Sequence, residues 1–525
     1  MTTPGSALNA ARRERELTEA TDGRVADLLV VGLGATGAGV ALDAAARGLD
    51  VVAVDAHDLA FGTSRWSSKL VHGGLRYLAN GQVRIAHESA VERGILMATT
   101  APHLTRAMPM LLPLLPMVSR LQAARVGSAF AAGDLLRATA RTPRRTLPRP
   151  RRLNATETLV AAPVLRGHGL RGGLLSWDGQ LEDDARLVTA LARTAAAHGA
   201  RVLTRVRALE LAGDGAVLRD ERTGTSCEVK ARAVVNATGA WAGELAEHLS
   251  LRPSRGTHLV LRGETLPGLR TAVTAPVPGE ANRYILVLPQ PDGRIYVGLT
   301  DEPVDGPIPD VPEPTEPEIG FLLDVTSAVF DCPVRRCDVA GAFAGVRPLL
   351  YAAGRTSDLS RRHAVLTGPD GVVTVVGGKL TTYRRMAQDT VDTVVARRGL
   401  DAGRSRTRRL PLVGAAAPAT LRRSAAPRRL VRRYGIEAGS VLTAAREITA
   451  GLMGEDELLS PVADGVPATL AELLFGVTHE GALDIGDLLD RRTRIGLVPA
   501  DRDRAEEAAR TALRVTAQAP GAIRV

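Results

Sequence analysis

Apolar and polar positions alternate along this chain in three regimes, each predicting a different architecture. In the first, a short, nearly continuous apolar run ends at glycine and passes into a helical stretch. Leu28-Leu29-Val30-Val31 runs into Gly32, and Val51-Val52-Ala53-Val54 ends on Asp55. Farther on, Ala233-Val234-Val235 leads to Gly239, and Val372–Val376 lead to Gly377 and Gly378. Runs apolar at consecutive positions fit strands buried on both faces of a parallel sheet, with the helical stretches as crossovers. Turns near 32, 239 and 378 are therefore expected to converge on one nucleotide-binding domain built from separated segments. The second regime comprises short runs between Pro and Gly turns, at Thr257–Arg262, Tyr284–Pro289, Arg294–Gly298 and Cys337–Val346, and reads as a mostly antiparallel sheet. In the third, beyond a basic hinge at Arg404–Arg409, apolar positions recur at helical spacing. The expected division is a flexible leader at 1–26, a nucleotide domain from 27–100, 165–250 and 345–400, a substrate domain from 101–164 and 251–344, and a helical domain at 405–525. A chain of 525 residues accommodates that many cores.

The first turn carries chemistry. Gly32, Gly34 and Gly37 have the spacing GxGxxG, and Asp55 follows Gly37 by 18 residues at the end of the next strand. The first glycine permits the tight turn, the second lets backbone approach a pyrophosphate, and the third lets helix and strand pack closely. The open helix N-terminus offers N–H groups to phosphate, and the acid suits a ribose hydroxyl. Phe61–Leu78 is too rich in Gly, Ser and Thr for an ordinary helix and supplies polar donors in quick succession. Helical patterning resumes over Val83–Thr100.

Charge and composition narrow the surroundings. The net charge of +10 favours anionic partners, and much of it lies in Arg137–Arg152. Aromatics make up 3% of residues, too few to interleave with that charge for single-strand nucleic-acid stacking. Of 67 basic residues, Lys69, Lys230 and Lys379 are the three lysines, and two of them stand in Gly-rich turns. Cys227, Cys332 and Cys337 form no CxxC pair, so neither a disulfide framework nor a zinc site is implied, and a reducing cytoplasm fits. The most lipophilic stretch, Ala107–Ser119, is 13 residues long and carries Pro109, Pro113 and Pro116. It is too short to span a bilayer, which takes about 20 apolar residues, and is expected to touch a membrane surface together with the basic residues.

Three segments together resemble the FAD-dependent glycerol-3-phosphate dehydrogenases: Ser67-Ser68-Lys69-Leu70-Val71-His72-Gly73-Gly74-Leu75-Arg76-Tyr77-Leu78, Gly345-Val346-Arg347-Pro348-Leu349, and Gly377-Gly378-Lys379-Leu380-Thr381-Thr382-Tyr383-Arg384. The resemblance runs from about Asp27 to Arg398 and more weakly through the C-terminal region. It implies an α/β fold with a glutathione-reductase-type FAD-binding Rossmann domain, an interleaved antiparallel-sheet substrate domain and a helical C-terminal domain. It also implies oxidation of sn-glycerol 3-phosphate to dihydroxyacetone phosphate, electrons passing to membrane quinone, with the protein peripheral on the cytoplasmic face of the membrane. A homodimer is the family's habit. By resemblance Gly32, Gly34, Gly37, Asp55, Thr63, Ser64, Ser67, Ser68, Lys69, Leu70, Ala237, Gly239, Gly378, Lys379, Leu380 and Thr381 would contact FAD. Arg347 and Arg361 would hold the substrate phosphate, with Arg76, Tyr77 and Lys379 nearer the reacting carbon. The base that takes the hydroxyl proton is left open among His72, His258 and Lys379, a neutral imidazole being able to act near pH 7. Asp55, Trp66, Gln290 and Leu299 depart from the family's usual glutamate, small residue, aromatic and threonine.

Three rival functions remain at this level. A glycerol-3-phosphate oxidase would hand the same electrons to oxygen. An amino-acid or amine oxidase of the same flavin superfamily would pair one arginine with an apolar pocket. A nucleic-acid-binding flavoprotein using Arg137–Arg152 would be retained on DNA or RNA in a salt-sensitive way.

Overall fold

A computed structural model describes residues 2–74, 78, 82–246, 249–280, 283–350 and 363–519. The apolar runs of the first regime lie side by side in a six-stranded sheet. Its order is Ala364–Thr367, Val373–Val376, Val234–Asn236, Leu28–Val31, Val51–Asp55, Arg201–Thr204. All neighbours are parallel except the first pair. Period-two alternation sends the two faces of these strands to different cores. Leu28, Val30, Val51 and Ala53 pack with the helices Ala35–Ala45, Asp184–Ala197 and Tyr383–Arg398. Leu29, Val31, Val52 and Val54 face the small sheet built by Val25–Ala26, Val206–Ala212, Gly215–Asp220 and Ser226–Ala231. Burial on both faces explains why these strands read as unbroken apolar runs. The three turns near 32, 239 and 378 thus meet at one edge of one sheet, as expected.

The substrate sheet is ten-stranded and mixed. Its strands Ser254–Arg262, Tyr284–Pro289, Arg294–Gly298 and Val339–Arg347 fall where the sequence placed them. Thr105–Pro113 joins Ala272–Pro276 in parallel, so the sheet is not purely antiparallel. The helix Glu316–Val329 packs on one face, burying Leu322, Val325 and Val329 with Phe330. Helices Arg428–Tyr434, Ala438–Ile448, Leu470–His479 and Pro499–Gln518 form the C-terminal domain around Phe475, Leu488 and Leu489.

Four expectations are corrected. Residues 1–26 are not a loose leader: Ala10–Ala20 is a helix capped by Asn9, and Arg13 is buried, donating to Thr204 O at 2.7 Å and Asp220 Oδ1 at 2.6 Å. Ala107–Ser119 is mostly not surface, because Leu111, Leu112, Leu114, Leu115 and Val118 are buried in and beside the substrate sheet, and only its end exposes Pro116, Met117 and Ser119. Gly173–Leu181 and Leu70–Val71 were assigned to the nucleotide domain but pair within that same sheet. After Gly239 comes a 3-10 turn, Gly239–Glu244, rather than an α-helix.

Candidate active site

Each glycine of the first turn has a visible steric reason. A Cβ on Gly32, whose φ is +99°, would lie 2.7 Å from Ala237 O, and one on Gly37 would lie 1.7 Å from Gly32 O. Gly37 therefore lets the helix pack against the strand and does not itself line the cavity beside the turn. Gly34 begins the helix Ala35–Ala45 with no side chain over its N-terminus other than Ser64, whose Oγ accepts from Ala35 N at 2.9 Å. Asp55 sits at the end of the neighbouring strand. Its carboxylate accepts from Leu33 N at 2.7 Å and His57 N at 2.9 Å, and burial pushes its pKa up to about 6.

From Asp55 and Arg207 a cavity of about 530 Å³ runs past Gly34 and Thr63 to His72, His258 and Arg347. Gly378, at φ +70°, keeps the third turn close to this space, since a Cβ there would meet Met386 Sδ at 2.4 Å. Lys379 and the short turn Leu380–Thr382 follow, and Thr381 Oγ1 accepts from the backbone N of His72 at 3.2 Å. That contact joins the residue after the strand Leu70–Val71 to the third turn. Gly73 N donates to Asp178, itself paired to Arg93 at 2.6 Å, so the backbone beyond His72 is anchored too.

At the far end His258 is buried, with Nε2 2.8 Å from Ser68 Oγ and its ring stacked 4.8 Å from Phe343. Burial, helped by Lys69 and Arg347, lowers its pKa to about 3. The imidazole is therefore neutral at physiological pH. Arg347 donates to Ser254 Oγ and Asp301 Oδ1, each at 3.1 Å, and to Thr300 O at 3.2 Å. It fits only because residue 256 is glycine: a Cβ there would stand 2.0 Å from Arg347 Nη2.

Of the residues expected here, the cavity is lined by Gly32, Gly34, Asp55, Thr63, Ser64, Ser67, Ser68, Leu70, His72, Ala237, Gly239, His258, Arg347, Gly378, Lys379, Leu380 and Thr381. Lys69 is a correction. It is buried, with φ +56°, and its ammonium turns to Asp184, 3.3 Å from Oδ2. Arg76, Tyr77 and Arg361 lie outside the described residues. Sequence reasoning missed Trp241, which packs against Gly62, and Arg207 from the small sheet. Neither carries a local motif; the fold alone brings them to the site.

The glycine cradle, the helix N-terminus open beside Gly34 and the acid one strand away suit a dinucleotide, and the donor-rich far end suits a flavin ring. These features define an FAD-dependent oxidoreductase with two domains around one cofactor. Comparisons agree with that class. Residues 27–384 match the FAD-dependent oxidoreductase family, and residues 405–521 match the C-terminal domain of alpha-glycerophosphate oxidase. Glycerol-3-phosphate dehydrogenase 1 of Mycobacterium tuberculosis is 55% identical over 507 residues, covering 95% of this chain and 97% of that one. The structure of glycerol-3-phosphate dehydrogenase from Bacillus halodurans, complexed with FAD, superposes with a TM-score of 0.73 at 28% identity, covering 98% of this chain and 99% of that one. L-alpha-glycerophosphate oxidase from Mycoplasma pneumoniae shares the fold, with a TM-score of 0.55 at 16% identity over 74% of this chain and 99% of that one. The chain belongs to the FAD-dependent glycerol-3-phosphate dehydrogenases.

Proposed function

We propose that the protein oxidises sn-glycerol 3-phosphate to dihydroxyacetone phosphate. The observation that carries the assignment of roles is that a buried histidine, His258, and an arginine, Arg347, line the same end of the cavity. FAD, held by the Gly32–Gly34 turn, Asp55 and the loop Thr63–Ser68, would supply the acceptor for the hydride that leaves C2. Neutral His258 takes the hydroxyl proton at Nε2, whose lone pair the substrate hydroxyl claims from Ser68 Oγ, the group that orients the ring beforehand from 2.8 Å. Arg347 holds the phosphate as a two-nitrogen donor, positioned by Ser254, Asp301 and Gly256. Arg76 and Arg361, which the resemblance assigns to the substrate, lie outside the described residues. His72 and Lys379 line the same cavity, and the turn Leu380–Thr382 ahead of the helix Tyr383–Arg398 would offset negative charge on a bound flavin.

The electrons then pass to quinone at an anionic membrane surface. With Ala107–Ser119 mostly buried, the surface that supports this reading is the segment 120–152, which holds nine arginines and one aspartate. Its helix Arg120–Thr139 buries Arg137 alone and exposes Leu121 at 61% and Leu135 at 66%. Among the described residues no helix is long and apolar enough to cross a membrane. Interfacial attachment through apolar side chains and arginines needs none.

Anaerobic addition of sn-glycerol 3-phosphate to the yellow protein tests the reaction. Bleaching by this substrate, and not by glycerol or amino acids, is expected; a flavin that stays oxidised sinks the proposal. Admitting oxygen then separates quinone from oxygen as acceptor, slow recolouring supporting quinone and fast recolouring with peroxide an oxidase. Flotation with anionic liposomes at low salt tests the surface, and protein left at the bottom of the gradient removes it.

A further inference from the structure

Three arginines of the C-terminal domain reach into the nucleotide domain behind the cofactor loop. They lie on one short stretch, the π-turn Asp487–Arg492 and the two residues after it. Arg491 and Arg492 clamp the buried Asp58, with Arg491 Nε and Arg492 Nη1 at 2.6 and 2.7 Å from Oδ2 and Arg492 Nη2 at 2.8 Å from Oδ1. Asp58 stands three residues beyond Asp55, where the loop that lines the cavity begins. Arg494 grips the same loop at its middle. Its Nη2 donates to Arg65 O at 2.5 Å, and its guanidinium lies 5.1 Å from the Trp66 ring, which Arg65 also covers at 4.1 Å.

Arg494 is itself held firmly. It adopts φ +62°, its Nη1 donates to Asp490 O at 2.6 Å, and its carbonyl accepts from Arg294 Nη1 at 2.8 Å. Its Nε lies 3.8 Å from Asp183 and 4.0 Å from Asp184. Asp184 in turn accepts from Ser67 N at 3.0 Å and Ser67 Oγ at 2.7 Å, and pairs with Lys69. Burial pushes the Asp184 carboxyl up, and Lys69 and Arg494 more than reverse this, so it stays ionised. Arg494 thus touches Arg65 and Trp66 directly and Ser67 through Asp184. Trp66, Ser67 and Ser68 all line the cavity.

We infer that Arg494 is a positioning residue for the flavin site, through which the C-terminal domain fixes the shape of the loop Arg65–Ser68 that FAD rests against. Among the described residues the C-terminal domain lines none of the cavity, so it reaches the cofactor loop through contacts such as these. The inference rests on FAD binding and not on the identity of the substrate, so the two fail separately.

The test is FAD affinity and the visible spectrum of full-length protein, with FAD stripped and titrated back. Removing a charge-assisted hydrogen bond of this kind is expected to weaken FAD by at least about ten-fold in Arg494→Met and to shift the flavin band. Arg494→Lys keeps the charge opposite Asp183 and Asp184 but has one donor head for the Asp490 and Arg65 carbonyls. It is expected to fold and to bind FAD with intermediate affinity. Arg429→Met serves as the stability control, since Arg429 pairs with the buried Glu472 inside the C-terminal domain at 2.9 Å. It should lower the melting temperature with FAD affinity unchanged. Wild-type affinity and spectrum in both Arg494 variants would overturn the inference. So would an equal loss of affinity in Arg494→Met and Arg429→Met, which would trace the effect to domain stability.

Discussion

Ser68 Oγ and His258 Nε2 stand 2.8 Å apart, joining a cofactor-loop hydroxyl to a strand of the substrate sheet. The contact spans the two domains at the place where alcohol and flavin must meet. Among the described residues His258 Nδ1 has no hydrogen-bond partner, and the Ser68 contact is what holds the ring by hydrogen bonding. Stacking on Phe343 supplies the rest.

His258→Asn is therefore expected to lower kcat by roughly 10²–10⁴, the usual range for a lost general base, while FAD content stays normal. Ser68→Ala leaves the imidazole present but loosely aimed and should cost less, about ten-fold. Stopped-flow reduction of the flavin by sn-glycerol 3-phosphate measures both. Reduction at the wild-type rate in His258→Asn would move the base to His72 or Lys379.

Gly37→Ala tests the packing of the dinucleotide turn. Its Cβ would fall 1.7 Å from Gly32 O, a backbone atom of the turn itself, so the strand and helix must separate. The expected cost is about 3 kcal/mol or more, read from the urea midpoint. The purified variant should be colourless. A yellow, stable variant would show that the helix can slide without losing the phosphate cradle.

Gly256→Ala separates substrate binding from cofactor binding. The added Cβ meets the far end of Arg347 rather than backbone, so the side chain moves and the fold survives. Displacing a charged phosphate ligand should raise KM for sn-glycerol 3-phosphate by about ten-fold or more, with unchanged flavin content. An unaltered KM would exclude Arg347 from the phosphate site.

The parts of this site legible in the sequence are those where local geometry demands one residue type. Gly32, Gly37 and Gly378 each avoid a backbone or side-chain collision, and Asp55 follows at a strand end fixed by the βαβ unit. Lys69 was misread because its motif position is local while its side-chain direction is set by φ +56° and by Asp184, 115 residues away. The helix Ala10–Ala20 looked solvated because its polar residues bond to groups beyond residue 200, as Arg13 does with Asp220. Ala107–Ser119 illustrates an ambiguity of short apolar runs, which suit a membrane surface and a central strand equally. Pairing with Gly173–Leu181 and Ala272–Pro276 decides it.

Asp55 couples cofactor binding to a cost in stability that depends on pH. Its folded pKa is raised by burial to about 6, above the ordinary 3.8, so the folded chain holds its proton more tightly than the unfolded chain. The resulting stability is complete below the unfolded value and is lost as pH rises through about 6. At pH 8 the FAD-free protein therefore carries a buried carboxylate held by Leu33 N and His57 N. Asp55→Asn cannot ionise and escapes that loss. Relative to wild type, the FAD-free variant should gain in melting temperature between pH 5 and pH 8. Its FAD affinity should fall at both pH values, since the amide accepts one ribose hydroxyl less well than a carboxylate. A stability difference that does not change across this pH range would show that Asp55 titrates at its ordinary value. The acid would then serve FAD without burdening the empty protein.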